Sequence, residues 1–445
     1  MNEKPEKNVE DWVSVALPIP SHWSYVDFGS AFDVLSTNGI KIPEGQYAAS
    51  GRFPIIDQGK SFVGGYTDAE SHVINQDGTV IVFGDHTRCF KLVNFPFAPG
   101  ADGTKVLCPA PYLLPKFAYY GCLSLKLPDR GYSRHYSFLK RSRFPIAPID
   151  EQRRIVAKIE ELFSELDKGI ENLTIARKQL KTYRQAILKA AFEGKLCNAS
   201  IAQGNSWIAR PLGGLIEFLT SGSRGWADYY SKHGDIFIRA QNLKHDRLDL
   251  TDIAYVRLPQ GNTEGVRTRV RQGDVLITIT GANVTKAGLV DTELGPAYVS
   301  QHVALCRLTD DLQPEFLYWY LLSEAGGRGQ LNEAAYGAGK PGLSLENIRN
   351  VVVPVPSVCD QKLVVSEIKR LIEGQQQTDA EIEVELARAE ALRQSILKRA
   401  FSGLLVAQDS EDEPASVLLE RIRAEHDEGR TTKRRNNKNG KKEAA

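Results

Sequence analysis

The chain has 445 residues, enough at roughly 100 to 200 residues per domain for two to four domains with buried cores, so a peptide or a single small domain is excluded. Its 56 Lys plus Arg face 55 Asp plus Glu, a formal charge of +1, which excludes a polycation that coats nucleic acid through bulk charge; any such contact must come from local clusters. With 42% hydrophobic and 25% charged residues, the composition is that of an ordinary folded protein rather than a disordered or fibrous one.

From the N-terminus, the charged opening MNEKPEKNVEDW lacks the apolar centre of a signal peptide, and no apolar run nears the roughly 18 residues of a membrane span, so a cytoplasmic protein is expected. A Pro, Leu and Gly rich stretch follows, with Trp23 six residues before Gly29. Runs of β type come next, GTVIVFG (Gly78–Gly84) being the strongest, and then the proline-punctuated apolar strand FPIAP (Phe144–Pro148). Just past Pro148 an apolar stripe begins: Ile155, Ile159, Leu162, Leu166, Ile170, Leu173, Ala176, Leu180, Tyr183 and Ile187 recur at spacings of three and four. This predicts one helix about 50 Å long ending at Gly194, a C-cap signal.

The pattern then restarts. Trp207 again precedes a glycine, Gly213, by six residues, and the β-type runs DIFIRA (Asp235–Ala240) and DVLITITG (Asp274–Gly281) lead to another proline-punctuated strand, VVVPVP (Val351–Pro356). QSILKRAFSGLL (Gln394–Leu405) repeats QAILKAAFEGKL (Gln185–Leu196) 209 residues later, and at the same offset Gln152 falls on Gln361, Val156 on Val365, Ile159 on Ile368 and Leu162 on Leu371, with no gap. The second stripe, Val364, Ile368, Leu371, Ile382, Leu386, Ala389, Leu392 and Ile396, ends at Gly403 and is interrupted by Gln375 and Asp379 opposite Leu166 and Ile170. Two stripes this long predict helices packed on each other as a coiled coil, the alternative being that each covers its own domain. Beyond Asp409, residues 409–428 carry eight acids against two arginines and residues 430–445 seven bases against one acid; a short helix over Ala415–Glu425 and a disordered basic end are expected. The six scattered cysteines (Cys89, Cys108, Cys122, Cys197, Cys306, Cys359) form no CxxC pair and read as reduced, mostly buried thiols.

Catalytic signatures are missing. There is no GxxxxGK[ST] loop: GAGKPG (Gly337–Gly342) has the wrong spacing and Pro341 where the hydroxyl must stand. The glycine fingerprint of methyltransferases and an Asn-Pro-Pro-Tyr-type string for a flipped base are not found. Pro54, Asp57 and Gln58-Gly59-Lys60 imitate a metal-dependent nuclease core without its second acid, and no GxSxG, HExxH or Cys/His constellation occurs. What remains is a non-catalytic protein with two variable domains on a helical spacer. Such a device holds two recognition surfaces at a set separation, as two readers of one duplex face about one turn, or 34 Å, apart would need. A coiled-coil adaptor without a DNA role and a cryptic methyltransferase or nuclease stay open as alternatives.

Six strings resemble the specificity subunit of type I DNA restriction-modification enzymes: PIDEQRRIV (Pro148–Val156), AILKAAFEGKL (Ala186–Leu196), TSGSRGWADYYSKHGDIFIRAQNL (Thr220–Leu243), GDVLITITGANVTKAGLV (Gly273–Val290), VSQHVALCRL (Val299–Leu308) and GAGKPGLSLENIRNVVVPVP (Gly337–Pro356). The likeness extends to about Leu405; the departures are Cys359 and Asp360 where the first copy has Asp150 and Glu151, and the interrupted second stripe. The resemblance implies an α+β fold: two mixed α/β target-recognition domains joined by two long antiparallel helices as a coiled coil, with a pseudo-two-fold internal repeat. The expected divisions are 1–148, 149–197, 198–357, 358–405 and a tail at 406–445. It also implies that the chain reads double-stranded DNA, one half-site per domain. Two modification (methyltransferase) subunits and the restriction (endonuclease and translocase) subunits would be its partners, and S-adenosylmethionine, ATP and Mg would bind those partners, none of them this chain.

Candidate DNA contacts follow. RGYSRHYSFLKRSR (Arg130–Arg143) interleaves bases with aromatics and offers Arg130, Arg134, His135 and Arg141, although its end could simply coat the approach to the helix. Arg88, in the loop after a strong strand, is displayed at a rim or lies in a plain loop. In the second half the candidates are Arg239, Gln241, Asn283, Lys286, Gln301, His302 and Lys340; Asn283 suits a bidentate pairing with adenine, or else supplies a positive φ in a turn. Gln152, Ile187, Phe192, Gln361, Ile396 and Phe401, in the repeated helical strings, are the candidate contacts to partner subunits.

Overall fold

The structure is a computed structural model describing residues 18–75, 78–131, 133–196, 207–259, 263–337, 341–422 and 424. It divides into two units, one of residues up to 171 together with those from 385 onward, the other of residues 172–384.

Each unit is built on one plan. In the first, Ser24–Asp27 pairs antiparallel with Arg143–Ile146. An antiparallel four-stranded sheet runs in the order Phe32–Leu35, Thr104–Pro109, Val80–Gly84, Phe90–Val93. A smaller sheet orders Gly65–Thr67, Phe53–Ile56 and Ala98–Pro99, its last pair parallel. The second unit reproduces this element by element. Ile208–Pro211 pairs with Val352–Val355. The four-stranded sheet orders Ile216–Ser221, Val303–Leu308, Val275–Thr278, Ala287–Leu289. The smaller sheet gains Tyr230–Ser231 at one edge beside Ala254–Val256, Asp235–Ile238 and Ala297–Val299, again with the last pair parallel. The apolar runs seen in the sequence become the inner strands: every residue of Val80–Gly84 and of Val275–Thr278 is buried, and Thr278 is the one polar side chain among them. A helix opening on proline then packs over each core, Pro115–Ser124 and Pro314–Leu321.

The two stripes form helices Ile149–Phe192 and Val358–Ala400. Both end in the same Schellman turn: Gly194 and Gly403 take φ of 73° and 70°, Lys195 N–H donates to Ala190 O at 2.8 Å, and Leu404 N–H donates to Arg399 O at 2.9 Å. In each unit the start of one helix shares a core with the end of the other. Ile155, Ile159 and Phe163 lie with Ile396, Leu397, Ala400 and Phe401 in the first unit; Leu188 and Ala191 lie with Val364, Ile368 and Ile372 in the second. The pairing inside each unit is therefore antiparallel. The interruption in the second stripe is itself a cross-helix contact: Gln375 Nε2 donates to Leu180 O at 3.3 Å, and Arg177 bridges Asp379 at 3.1 Å and Glu383. Tyr183 and Leu392, expected within the stripes and 209 residues apart, are instead 50% and 49% exposed, because a two-helix seam covers only a narrow face.

The tail beyond the second helix folds back. Residues 415–422 are helical, Ala415 and Leu419 enter the first core, Ala415 N–H donates to His22 O at 3.0 Å, and Arg154 pairs with Asp412 at 2.5 Å. The basic end and Cys197 lie outside the described residues. Of the described cysteines only Cys122 and Cys306 are buried, with Cys359 exposed, so the expectation of mostly buried thiols is corrected. No helix among the described residues is long and apolar enough to cross a membrane.

Candidate nucleic-acid interface

In both units the chain leaving the parallel strand pair brings polar side chains together. The register Ile238↔Val299 sets Arg239–Gln241 beside Ser300–His302 in the second unit. These residues line a cavity of about 370 Å³ walled by Trp226, Tyr230 and Phe237, with Trp226 and Phe237 ring centres 4.6 Å apart. Four candidates, Arg239, Gln241, Gln301 and His302, thus converge on one site. Gln301 Nε2 donates to His302 Nε2 at 3.0 Å, and the other imidazole nitrogen bonds Thr280 Oγ1. Arg239 Nη2 and Gln241 Nε2 both reach Asp252, at 3.2 Å to its carbonyl and 2.6 Å to its carboxylate. Asn283 ties its loop to the same segment by donating to Ala240 O at 3.3 Å. The positive φ in that loop belongs to Gly281 and Thr285, so Asn283 is not the residue that supplies it. Trp226 Nε1 and Arg239 Nε are buried without a hydrogen-bond partner, two donors that an acceptor on a ligand would satisfy. Trp226 and Tyr230 were not singled out from the sequence, although the string WADYY beside a short strand carried the signal.

In the first unit the two basic segments recognised in the sequence meet. Asp85 Oδ1 accepts from His135 N–H at 2.7 Å and Tyr136 N–H at 2.6 Å, capping the short helix Tyr136–Lys140, while Arg88 pairs with Asp129 at 2.9 Å. Arg130 sits over the Phe138 ring, and Arg130, Arg134 and Arg141 are exposed. Lys41 and Lys105, absent from the sequence candidates, add to this rim; burial first, and then the Lys105 charge, lower the pKa of Lys41 against the opposing charges of Asp102 and Asp85. Gln58 organises the floor, its carbonyl accepting from Thr87 Oγ1 at 2.5 Å and its Oε1 from His86 N–H at 3.3 Å. Gly103 takes φ of 77°, the left-handed region that favours glycine, and a Cβ there would also lie 2.6 Å from Gln58 Oε1. Asp57 of the nuclease-like string pairs at 3.3 Å with buried Lys91 rather than with Lys60, and burial followed by the Asp57 charge raises the Tyr47 hydroxyl to about 12. That group is a structural cluster.

Several candidates are corrected. His135 is fully buried, its Nδ1 on Asp85 O at 2.9 Å, so it positions the rim and cannot touch DNA. Lys286 is held by Asp246 at 2.9 Å and lines a different cavity. Lys340 lies outside the described residues. The partner-contact candidates belong to the fold. Ile187, Ile396 and Phe401 are buried, and Phe192 packs on Phe316 and Tyr320. Gln152 and Gln361 have no exposure because each closes the same three backbone bonds. Gln152 accepts from Leu114 N–H and donates to Tyr112 O and Ala147 O; Gln361 accepts from Gln313 N–H and donates to Asp311 O and Pro356 O.

Comparison with known proteins agrees with this architecture. Residues 207–388 match the family model described as the type I restriction modification DNA specificity domain. The chain is 27% identical over 314 residues to the type I restriction enzyme EcoBI specificity subunit of Escherichia coli, covering 64% of this chain and 65% of that protein. It is 26% identical over 300 residues to the EcoKI specificity subunit of E. coli strain K12, covering 63% of each. The matched portion thus spans just under two thirds of these relatives. A solved chain from a type I R-M system shares the fold at a TM-score of 0.65 and 19% identity, covering 87% of this chain and 99% of that one.

Proposed function

We propose that the chain, which resembles the type I restriction-modification specificity subunits, is the DNA-reading subunit of such a system. Each α/β unit reads one half of a bipartite duplex site, while the paired helices set the spacing and seat two modification subunits. The chain performs no chemistry itself. S-adenosylmethionine, ATP and Mg act on the modification and restriction subunits, and this chain decides where they act.

The observation that carries the reading is the duplicated topology with a different polar surface at the same place in each copy. One copy offers Arg88, Arg130 and Arg134 around the Gln58 floor, the other Arg239, Gln241, Gln301 and His302 around an aromatic cavity. Arginine and glutamine address guanine and adenine edges, exposed arginines hold phosphates, and dissimilar side chains on one scaffold are what an asymmetric site requires. The test is footprinting of the complex reconstituted with its modification subunits, before and after exchanging residues 207–356 for the corresponding domain of another such protein. Two protected patches with one half-site altered support the proposal; a sequence-blind footprint, or a change in both halves, refutes it.

A further inference from the structure

In each unit a cavity lies beside the paired helices, and the charges lining the two are opposite in net sign. In the first unit a cavity of about 510 Å³ beside Tyr119 and Tyr120 is lined by Glu160, Asp167 and Glu171 against Lys168 and Arg393. Arg393 is fully engaged there: it pairs with Asp167 and its guanidinium stands 4.7 Å from the centre of the Phe163 ring. In the second unit the corresponding cavity, about 480 Å³, holds five bases, Arg177, Lys181, Arg184, Lys286 and Arg328, against three acids, Asp246, Glu324 and Asp379. Arg184 lies 209 residues before Arg393, and Tyr318 lies 199 after Tyr119. In each unit the arginine charge acts on that tyrosine, so the two arginines occupy equivalent places.

Their surroundings differ in what neutralises them. Arg328 and Lys286 converge on Asp246, whose carboxylate also accepts from Ala287 N–H at 3.2 Å and whose carbonyl accepts from the Tyr318 hydroxyl at 2.6 Å. Arg177 is divided between Asp379 and Glu383. Glu324 is turned to Asn332, and its own N–H donates to Gln185. Among the described residues Arg184 and Lys181 have neither an ion pair nor a hydrogen bond, so a rigid frame of satisfied groups surrounds two uncompensated cations. A guanidinium at the wall of a concave, partly desolvated site recruits an acid when its task is packing, as Arg393 does. Left without one, it is matched to an anion from outside the chain.

We propose that the second-unit cavity is a phosphate-binding site in which Arg184 and Lys181 grip the oxygens and the Arg328–Asp246–Lys286 frame holds the wall in place. A phosphodiester of bound DNA and a free phosphate group present the same chemistry; only the DNA source rests on the function proposed above.

The experiment uses the full chain, with inorganic phosphate as probe in isothermal titration against a chloride control of equal ionic strength, and a duplex carrying the recognised site in binding measured across salt. Wild type takes up one phosphate, R184Q weakens it at least tenfold, R184K recovers part of the loss, and R393Q, whose arginine is already paired, leaves it unchanged. A drop of about 0.9 in the slope of log affinity against log salt for R184Q assigns the site to a DNA phosphate, and an unchanged slope with lost phosphate uptake assigns it to free phosphate. Absence of phosphate uptake by wild type, or R184Q binding as wild type does with an unaltered unfolding midpoint, overturns the proposal. A chain that takes up phosphate and ignores DNA would contradict only the proposed function.

Discussion

Replacing Gln361 by Ala removes three hydrogen bonds at once and strands one N–H, of Gln313, and two carbonyls, of Asp311 and Pro356, around a side chain that itself has no solvent exposure. Each bond contributes about 0.5 to 1.5 kcal/mol net, and a buried group left unpaired costs about 1 to 3 kcal/mol, so Q361A should lose about 3 to 5 kcal/mol. Q152A should lose about as much, because its amide closes the same three bonds in the first unit. Q361E is the sharper probe. It retains an acceptor for Gln313 N–H but turns a carboxylate oxygen on two carbonyls, and at neutral pH it should be at least as damaging as alanine. Urea unfolding of the full chain followed by circular dichroism, with a slope of about 3 kcal/mol/M, would register a midpoint lower by about 1 M or more. A loss below about 1 kcal/mol in either alanine variant, or a harmless Q361E, would show that these amides are not what joins each long helix to its domain.

Substituting the cap glycines separates backbone strain from crowding. G194A should cost about 1 kcal/mol through its positive φ alone, while G403A, whose Cβ would lie 2.3 Å from Pro20 Cγ, should cost about 3 kcal/mol, read from unfolding midpoints. Burial opposes the charge on Asp246, but hydrogen bonds and charge from Arg328 and Lys286 outweigh it and hold the carboxyl below its ordinary 3.8. Its contribution is therefore complete above that value and lost as pH falls through the lower folded one; D246N should be destabilised by about 3 kcal/mol at neutral pH and lack the acid-side slope that wild type shows below that ordinary value of 3.8. R134A, at an exposed arginine with no partner among the described residues, should weaken all duplexes alike and lower the salt slope by about 0.9. R239A should instead relax discrimination at one base pair by about 1 to 3 kcal/mol in a competition assay with single-base variants of the site, and uniform weakening would count against a reading role.

The repeat was legible where both copies meet the same demand. The helices must bury a stripe, end on a left-handed residue and anchor an amide, so Gln152 and Gln361, Gly194 and Gly403 and the apolar spacing recur at one offset. The meaning of those recurring residues was not legible. Gln152, Ile396 and Phe401 look like contacts for a partner and prove to be buried, since a string alone does not tell a residue retained for packing from one displayed to solvent. His135 misled for the same reason: a basic, aromatic neighbourhood suggests a reading surface, while the tertiary partner Asp85, 50 residues away, takes the imidazole inside.

Amino-acid order by itself determined the fold class, the two long helices with their ends, the duplication and the absence of catalytic strings, because periodicity, caps and loop chemistry act over a few residues. Only the tertiary structure decided that the two domains share one sheet topology despite little common sequence, that Arg239, Gln241, Gln301 and His302 surround one aromatic cavity, and that Arg184 stands unpaired where Arg393 does not. Those facts depend on which distant segments approach one another. That approach is set by the summed burial of many side chains, which no local pattern records.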